Sequence, residues 1–355
     1  MDTIDVLSVD AERNDNLKKA KLENGFYNII DGEKVAASKR LSVINPATGK
    51  QLAAVPDVDR TLLNKAISAA RNAFSGWGAV PFERRKAILA SLLNKIDDHA
   101  DELCALLTAE QGGPLAQARG EIALLTKAFG PALMQMAPNA KEQDVQPIEQ
   151  ITKRYVPIDG GGVIRLWNLP VILSFGKVLP ALLAGDTVVL RPSPFTPLTV
   201  LRISEYIREL LPPAVFNVVT GGHDLWPWTT SHSGIDLITF TRSTNIGKRV
   251  SESAAGTLKS LTLELGGNNS RAVADADPEK LALFGRITLV PVNCNSGWYG
   301  LASTLFEILS FRPVRVRTQV LVWSLARNAS RTFPIFRSNA ERGMEGVQFI
   351  VACWN

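Results

Sequence analysis

Cysteine is scarce in this sequence. Cys104, Cys294 and Cys353 have neither the even count nor the spacing of a disulfide framework. Histidine is as rare. His223 and His232 flank the segment Asp224-Leu225-Trp226-Pro227-Trp228 without further ligands at helical or strand spacing, so no metal site is expected. The opening residues MDTIDVLSVDAERND lack the basic start and apolar run of a secretory signal. Long hydrophobic runs are missing too: no stretch is both apolar and charge-free over the length of a bilayer, and no membrane partner is expected. The net charge is only +5, and the basic residues are not gathered on one helix face, which gives no sign of a nucleic-acid partner. A GxGxxG dinucleotide fingerprint is absent as well. Together these absences predict a protein of a reducing, cytoplasmic compartment.

What is present suffices for two domains. Apolar residues make up 46% and charged residues 21% of the 355 positions, an ordinary globular balance. The first residues, to about position 25, are polar and read as a loosely held arm. Asn28 to Val35 sets Asp31-Gly32 between two short apolar runs, a hairpin signal. The turn Asn45 to Gly49 then precedes a strand over Gln51 to Val55. Leu63, Ile67, Ala70 and Phe74 recur at helical spacing, which predicts a helix over Arg60 to Phe74. Pro81 suits the first position of the next helix, whose buried stripe is Ile88, Leu92, Ile96, Leu103 and Leu107. Cys104 fits this helix as a small core residue, and His99 as a surface or capping residue. Glu110-Gln111-Gly112-Gly113-Pro114 ends it, and a further helix is predicted from Leu115 to Phe129. Asp144 to Val156 reads as one exposed extended stretch. Later come helices over Lys177 to Leu183 and Leu198 to Leu211, and strands over Thr187 to Leu190 and Val215 to Val219.

The rest of the chain is organised around Asp236 to Asn269. An apolar strand, Leu237 to Phe240, meets the polar turn Arg242-Ser243-Thr244; a helix starts at about Asn245; a second strand, Leu261 to Leu265, runs into Gly266-Gly267. Strand, helix and strand form a right-handed crossover, which brings both strand ends to one edge of a parallel sheet. That edge is where such sheets bind ligands. The turn presents hydroxyls and a helix N-terminus to a phosphate, and the second strand delivers the carboxylate of Glu264.

The same residues carry a resemblance. FTRSTNIGKRV followed by LTLELGG resembles the aldehyde dehydrogenase superfamily, whose coenzyme turn reads FTGSTxxG and whose catalytic glutamate lies in LELGG. Between Ile44 and Asn269, VIRLWNLP resembles the family's PWNFP segment, RPSPFTP its KPSExTP segment, and TAEQGGPLAQARGEI a helical stretch with Gly113 where Lys is usual. The implied fold is α/β and aldehyde dehydrogenase-like, a Rossmann-type parallel sheet domain plus an incomplete α/β catalytic domain. Residues 1–142 and 159–265 would form the N-terminal helices and dinucleotide-binding domain, 143–158 an extended oligomerisation arm, and 266–355 the partial catalytic domain. The resemblance implies NAD or NADP, bound by Trp167, Arg191, Ser193, Ser243, Thr244 and Gly247. It implies Asn168 as donor to the oxyanion of an attacked aldehyde and Glu264 as general base. It also implies homo-oligomers, of whose association arm only one half is legible. Arg242 replaces the glycine that lets the family's turn approach a pyrophosphate. Pro194 lacks the acceptor that the family's Glu offers to a ribose, while Arg191 keeps a cation, a combination that would tolerate the 2′-phosphate of NADP.

Beyond Asn269 the pattern changes. The family's reactive Cys stands about thirty-odd residues after the LELGG glutamate, in NxGQxC. This chain has Val292-Asn293-Cys294-Asn295-Ser296-Gly297-Trp298-Tyr299-Gly300; aligning Asn295-Ser296-Gly297 leaves Gly300 at the nucleophile position and Cys294 ahead of the turn. Two assignments stay open: Cys294 acts through a shifted loop, or it is incidental and the site has no thiol. After Lys280 there is no Lys and no Asp, while Arg recurs, and the family's Glu-Phe-Gly segment is absent. A truncated or partly frame-shifted product is the expectation. The expected activity is oxidation of a small-molecule aldehyde to a carboxylate through a cysteine thiohemiacetal and thioester. The alternatives are a catalytically silent homologue that only binds coenzyme or partners, and a coenzyme-independent thioesterase or esterase.

Overall fold

The computed structural model describes residues 18, 20–136, 141–145, 149–153, 156–158, 160–164, 168–242, 244–265, 269–273 and 302–306. The chain divides into two compact units, Met1–Gly266 and Gly267–Asn355. In the second, β12 (Asn269–Val273) and β13 (Ala302–Phe306) pair in parallel. All other elements belong to the first unit.

It opens with a 3-10 turn (Leu22–Asn24), which with buried Ala20 and the Lys21 carbonyl held by Arg202 at 3.0 Å corrects the loose arm expected there, and then β1 (Asn28–Ile30) pairs with β2 (Glu33–Val35). Asp31 and Gly32 both take positive φ, 57° and 76°, the pair of values a two-residue primed turn needs and the reason Asp-Gly marks one. An antiparallel pair follows, β3 (Lys39–Ile44) with β4 (Gln51–Asp57). Next comes a helical layer: α1 (Arg60–Gly78), α2 (Phe82–Asp98), α3 (Ala100–Gln111), α4 (Leu115–Ala123), a π-helical turn over Leu124–Phe129, and α5 (Gly130–Met134). Asp59 caps α1 by accepting from the Leu62 N–H at 2.9 Å. Buried Leu63, Ala66, Ile67, Ala70 and Trp77 form its core face.

Three more expectations are corrected here. The single helix after Pro81 is two, with Pro81 as its N-cap and a break at His99, whose Nδ1 lies 2.9 Å from the Lys95 carbonyl. The apolar stripe passes from Ile96 to Leu103 at a spacing compatible with either arrangement, so periodicity alone does not register the break. The helix from Leu115 gives way to the π-helical turn at Leu124, where the hydrogen bonding lengthens by one residue. The extended stretch after Asp144 is instead an antiparallel pair, β5 (Lys141–Val145) with β6 (Glu149–Lys153).

The remaining elements alternate: β7 (Gly160–Ile164), α6 (Pro170–Ala184), β8 (Thr187–Arg191), α7 (Leu198–Ile207), β9 (Phe216–Val218), α8 (Leu225–Ser231), β10 (Leu237–Arg242), α9 (Thr244–Ala255) and β11 (Ser260–Leu265). They build a seven-stranded sheet in the order β11-β10-β7-β8-β9-β1-β2, parallel from β11 to β9, with the hairpin added antiparallel at the far edge. The buried amide of Asn28 secures that edge, its Oδ1 accepting from the N–H and hydroxyl of Thr220 at 2.8 and 2.9 Å. Alternate residues of the central strands serve opposite faces. Val188 and Leu190 join the core beneath α2, α3, α6 and α7, whereas Val189 joins the one with Ile67 of α1 and Val250 of α9. This two-sided burial explains the unbroken apolar run in β8. Helix α6 is longer than its predicted Lys177 start, because Pro170 is suited to a first turn and Val171, Ser174 and Phe175 are buried. Among the described residues, no helix is long and apolar enough to cross a membrane.

Candidate active site at the carboxyl edge of the sheet

A parallel sheet opens a crevice at its carboxyl edge where neighbouring strands send the chain in opposite directions. Here that point lies between β7 and β10. The chain leaves β7 through α6 to β8 on one side and leaves β10 through α9 to β11 on the other. Register aligns the strand ends: Ile164 pairs with both Arg191 and Phe240, and Thr241 with Glu264. Asn168 follows β7, Arg191 ends β8 with Ser193 just beyond, Thr244 and Gly247 open α9, and Glu264 lies on β11. These sequence-chosen residues therefore share one sheet edge. Trp167, Ser243, Cys294 and the Gly300 position lie outside the described residues.

Asn168 is buried, at 7% exposure, and its Oδ1 has no hydrogen-bond partner among the described residues. Its main-chain carbonyl accepts from Gln111 Nε2 at 2.9 Å. Just beyond, Glu121 Oε1 accepts from the N–H groups of Val171 and Ile172 at 2.8 and 3.0 Å. These N–H groups belong to the first turn of α6, which has no partners of its own for them. At the other end of α6, buried Arg85 donates from Nε to the Leu183 carbonyl at 2.9 Å and from Nη2 to that of Ala184 at 3.3 Å. A cation on the last carbonyls and an anion on the first amides both complement the helix dipole.

Glu110 repeats the arrangement on α7, accepting from the N–H groups of Leu198 and Thr199 at 2.7 and 2.9 Å. Burial pushes the carboxyls of Glu110 and Glu121 each up to about 7, against the downward pull of the amides they accept from. Like those of α6 and α7, the first turn of α9 contains no acidic residue of its own. Gly247 is buried, and a Cβ there would run into the Leu265 side chain, so the glycine lets α9 lie close on β11.

Arg191 is only 3% exposed, with Nη2 donating to the carbonyls of Gly221 and Gly222 at 3.2 and 2.7 Å. Asp57 Oδ1 accepts from the Gly222 N–H at 3.0 Å, so this turn is held from two sides. Ser193 Oγ accepts from the Phe195 N–H at 3.3 Å. Glu264 stands on the edge strand, more than half exposed, with Lys177 Nζ of α6 at 3.4 Å. Solvent screens such a pair, which contributes on the order of 0–1 kcal/mol. Its place beside α6 nonetheless brings the carboxylate to the helix that follows Asn168.

Sequence reasoning missed Glu110, Gln111, Glu121, Arg85 and Lys177. Glu110-Gln111 read only as a helix end, and Lys177 as a helix start. Glu121 carried a signal: it stands between Ala118 and Ile122, both buried, and a carboxylate on a buried stripe needs donors from elsewhere.

Residues 34–284 match the model of the aldehyde dehydrogenase family. A putative aldehyde dehydrogenase, FUS7, of Gibberella fujikuroi is 33% identical over 70% of this chain and 53% of its own length. The succinate-semialdehyde dehydrogenase [NADP(+)] GabD of Escherichia coli is 37% identical over 71% of this chain and 54% of its own. Among solved structures, HpcC from Thermus thermophilus is similar with a TM-score of 0.76 and 29% identity, over 83% of this chain and 58% of that one. A betaine aldehyde dehydrogenase from Staphylococcus aureus in complex with NAD+ is similar with a TM-score of 0.72 and 25% identity, over 77% and 56%. The chain thus spans about half the length of the curated relatives it matches.

Proposed function

The chain belongs to the aldehyde dehydrogenase family, and from that premise we propose that it binds NAD or NADP at the carboxyl edge of its sheet and oxidises a small aldehyde to the carboxylate. The observation that carries this reading is the meeting of Asn168, the start of α9 and Glu264 at the β7/β10 switch point. A dinucleotide diphosphate suits that place, because α9 is a long enough helix for its N-terminal dipole to favour an anion and brings no acid of its own to its first turn. Thr244 and Ser243 would hydrogen-bond the phosphates. Gly247 keeps the helix close to β11, and Arg191 and Ser193 line the adenosine side at the end of β8. When bound, the coenzyme supplies the hydride acceptor.

This chain's residues divide the remaining work. The Cys294 thiolate adds to the aldehyde carbon, and the carbonyl oxygen becomes an oxyanion. Asn168 donates its side-chain amide to that oxygen, a contribution on the order of 3 kcal/mol for a fixed donor in a dry site. Loss of hydride from the thiohemiacetal leaves a thioester on Cys294. Glu264 takes a proton from a water that attacks the thioester; collapse expels the Cys294 thiolate and frees the carboxylic acid, which loses its own proton to solvent to give the carboxylate. The Glu264 proton then passes to solvent.

The test is coenzyme reduction by simple aldehydes together with thiol labelling of Cys294. Turnover is expected in the parent chain and none in Cys294→Ala, with aldehyde protecting Cys294 from the label. A thiol that neither reacts nor is protected overturns its role. The alignment of Gly300 with the expected nucleophile favours one second reading, a homologue that binds coenzyme without turnover. Coenzyme binding in a chain that never reduces it is the outcome that reading expects.

A further inference from the structure

Asn168 sits at a bend. Leu169 takes φ −138° and ψ 72° before α6 begins at Pro170, so the path from strand to helix turns beside the asparagine. The asparagine amide is not fixed through its own oxygen, since Oδ1 is buried without a hydrogen-bond partner among the described residues. The main chain around it is held instead. That main chain is gripped on both sides of Leu169: Gln111 holds the Asn168 carbonyl, and Glu121 holds the Val171 and Ile172 amides. Both gripping side chains are buried, Gln111 at 4% and Glu121 at 5% exposure. They come from α3 and α4, elements with no strand at the site. Arg85 at the far end of α6 keeps the helix from sliding along its axis.

We propose that Gln111 and Glu121 are positioning residues for Asn168, acting through the backbone around Leu169 to aim its side-chain amide at the oxygen of a bound aldehyde. The catalytic half of this proposal rests on the reading of Asn168 as oxyanion donor. A displacement of about 1 Å from a productive geometry can cost on the order of 100-fold in rate, so a grip on the main chain is enough to matter. Glu110 provides an internal control. It has the same chemistry and burial and adjoins Gln111 in the chain, but its side chain holds α7, and among the described residues no hydrogen bond runs from it to the Asn168 segment.

The experiment uses the full chain labelled with 15N-asparagine, in which the Asn168 side-chain amide signals are assigned by their loss in Asn168→Asp. Gln111→Met and Glu121→Met are expected to move those signals. Glu110→Gln is expected to leave them in place, and Glu121→Gln, which keeps an acceptor oxygen, to restore them. In aldehyde-dependent coenzyme reduction, the two Met variants are expected to lower kcat by about 10- to 100-fold with KM changed less than about twofold, as for a group that acts only in the transition state. Glu121→Gln should recover most of the rate. Signals that stay put in folded Gln111→Met and Glu121→Met overturn the positioning, whatever the activity. Signals that move while kcat is unchanged overturn its catalytic consequence. If they move and the parent chain itself reduces no coenzyme, the positioning stands and the functional reading fails. Should the Met variants not fold, as judged by far-UV circular dichroism, Glu121→Asp replaces them. That variant keeps the charge but shortens the reach, and unmoved Asn168 signals in it overturn the proposal equally.

Discussion

Helices α6 and α7 begin on buried carboxylates lent by the helical layer, while the first turn of α9, which like theirs holds no acid of its own, is where a coenzyme is proposed to bind. All three follow strands of the same parallel sheet and start at the same edge, so each has first-turn amides without intrahelical partners. The difference lies in what satisfies them. Glu121 and Glu110 reach in from α4 and α3 and fix two helices permanently to the helical layer. One sheet thus carries two helices fixed at their starts, one of which follows Asn168, beside a third proposed to take the coenzyme diphosphate.

The comparison is broken most severely by removing an internal anion. Glu110→Leu leaves two buried N–H groups of α7 unpaired, each costing about 1–3 kcal/mol. Chemical denaturation should show a loss of roughly 3 kcal/mol, with the midpoint lowered and the slope kept. A loss below 1 kcal/mol would mean that α7 does not depend on the carboxylate.

A gentler change keeps the acceptor and removes the charge. Glu110 has a folded pKa raised by burial to about 7 from 4.5. The unfolded chain therefore releases this proton at lower pH than the folded one. Its favourable contribution is complete below the unfolded pKa, and is lost as pH rises through the folded value. Glu110→Gln is expected to match the parent near pH 4.5 and to exceed it above pH 7, by up to roughly 3 kcal/mol. Parallel unfolding at both pH values checks this, and equal stabilities at pH 8 would refute it. The same sign applies to Glu121, likewise raised to about 7.

The smallest expected effect sharpens the contrast from the other side. Asn245→Asp places an acid in the first turn of α9, which favours the helix by about 0.3–1 kcal/mol and opposes a bound diphosphate. Coenzyme affinity should fall about tenfold, or 1.4 kcal/mol, while thermal stability holds or rises. Unchanged affinity in titration calorimetry would remove the diphosphate from α9.

Much of this arrangement was legible before any coordinates. The β10-α9-β11 crossover, the primed turn at Asp31-Gly32 and the strand β8 follow from local periodicity and turn chemistry, which a sequence states directly. The strand-end residues were legible because their motifs are contiguous. The break at His99 was not, since the apolar spacing across it suits one helix or two. Nor was the partnership of Gln111 and Glu121 with the Asn168 segment, which joins positions dozens of residues apart through single hydrogen bonds.

By itself the sequence determined the α/β class, the order of strands and helices along the chain, and the residue types that reach the carboxyl edge. These depend on patterns within a few residues of one another, where backbone geometry fixes which side chains share a face. Only the tertiary structure decided that the hairpin extends the sheet at its far edge, that Arg191 turns its guanidinium to the Gly221-Gly222 carbonyls, and that α6 is clamped at both ends. Each of these is the satisfaction of a buried polar group by a partner distant in the chain. The sequence records the need for a partner, and the folded packing selects which one meets it.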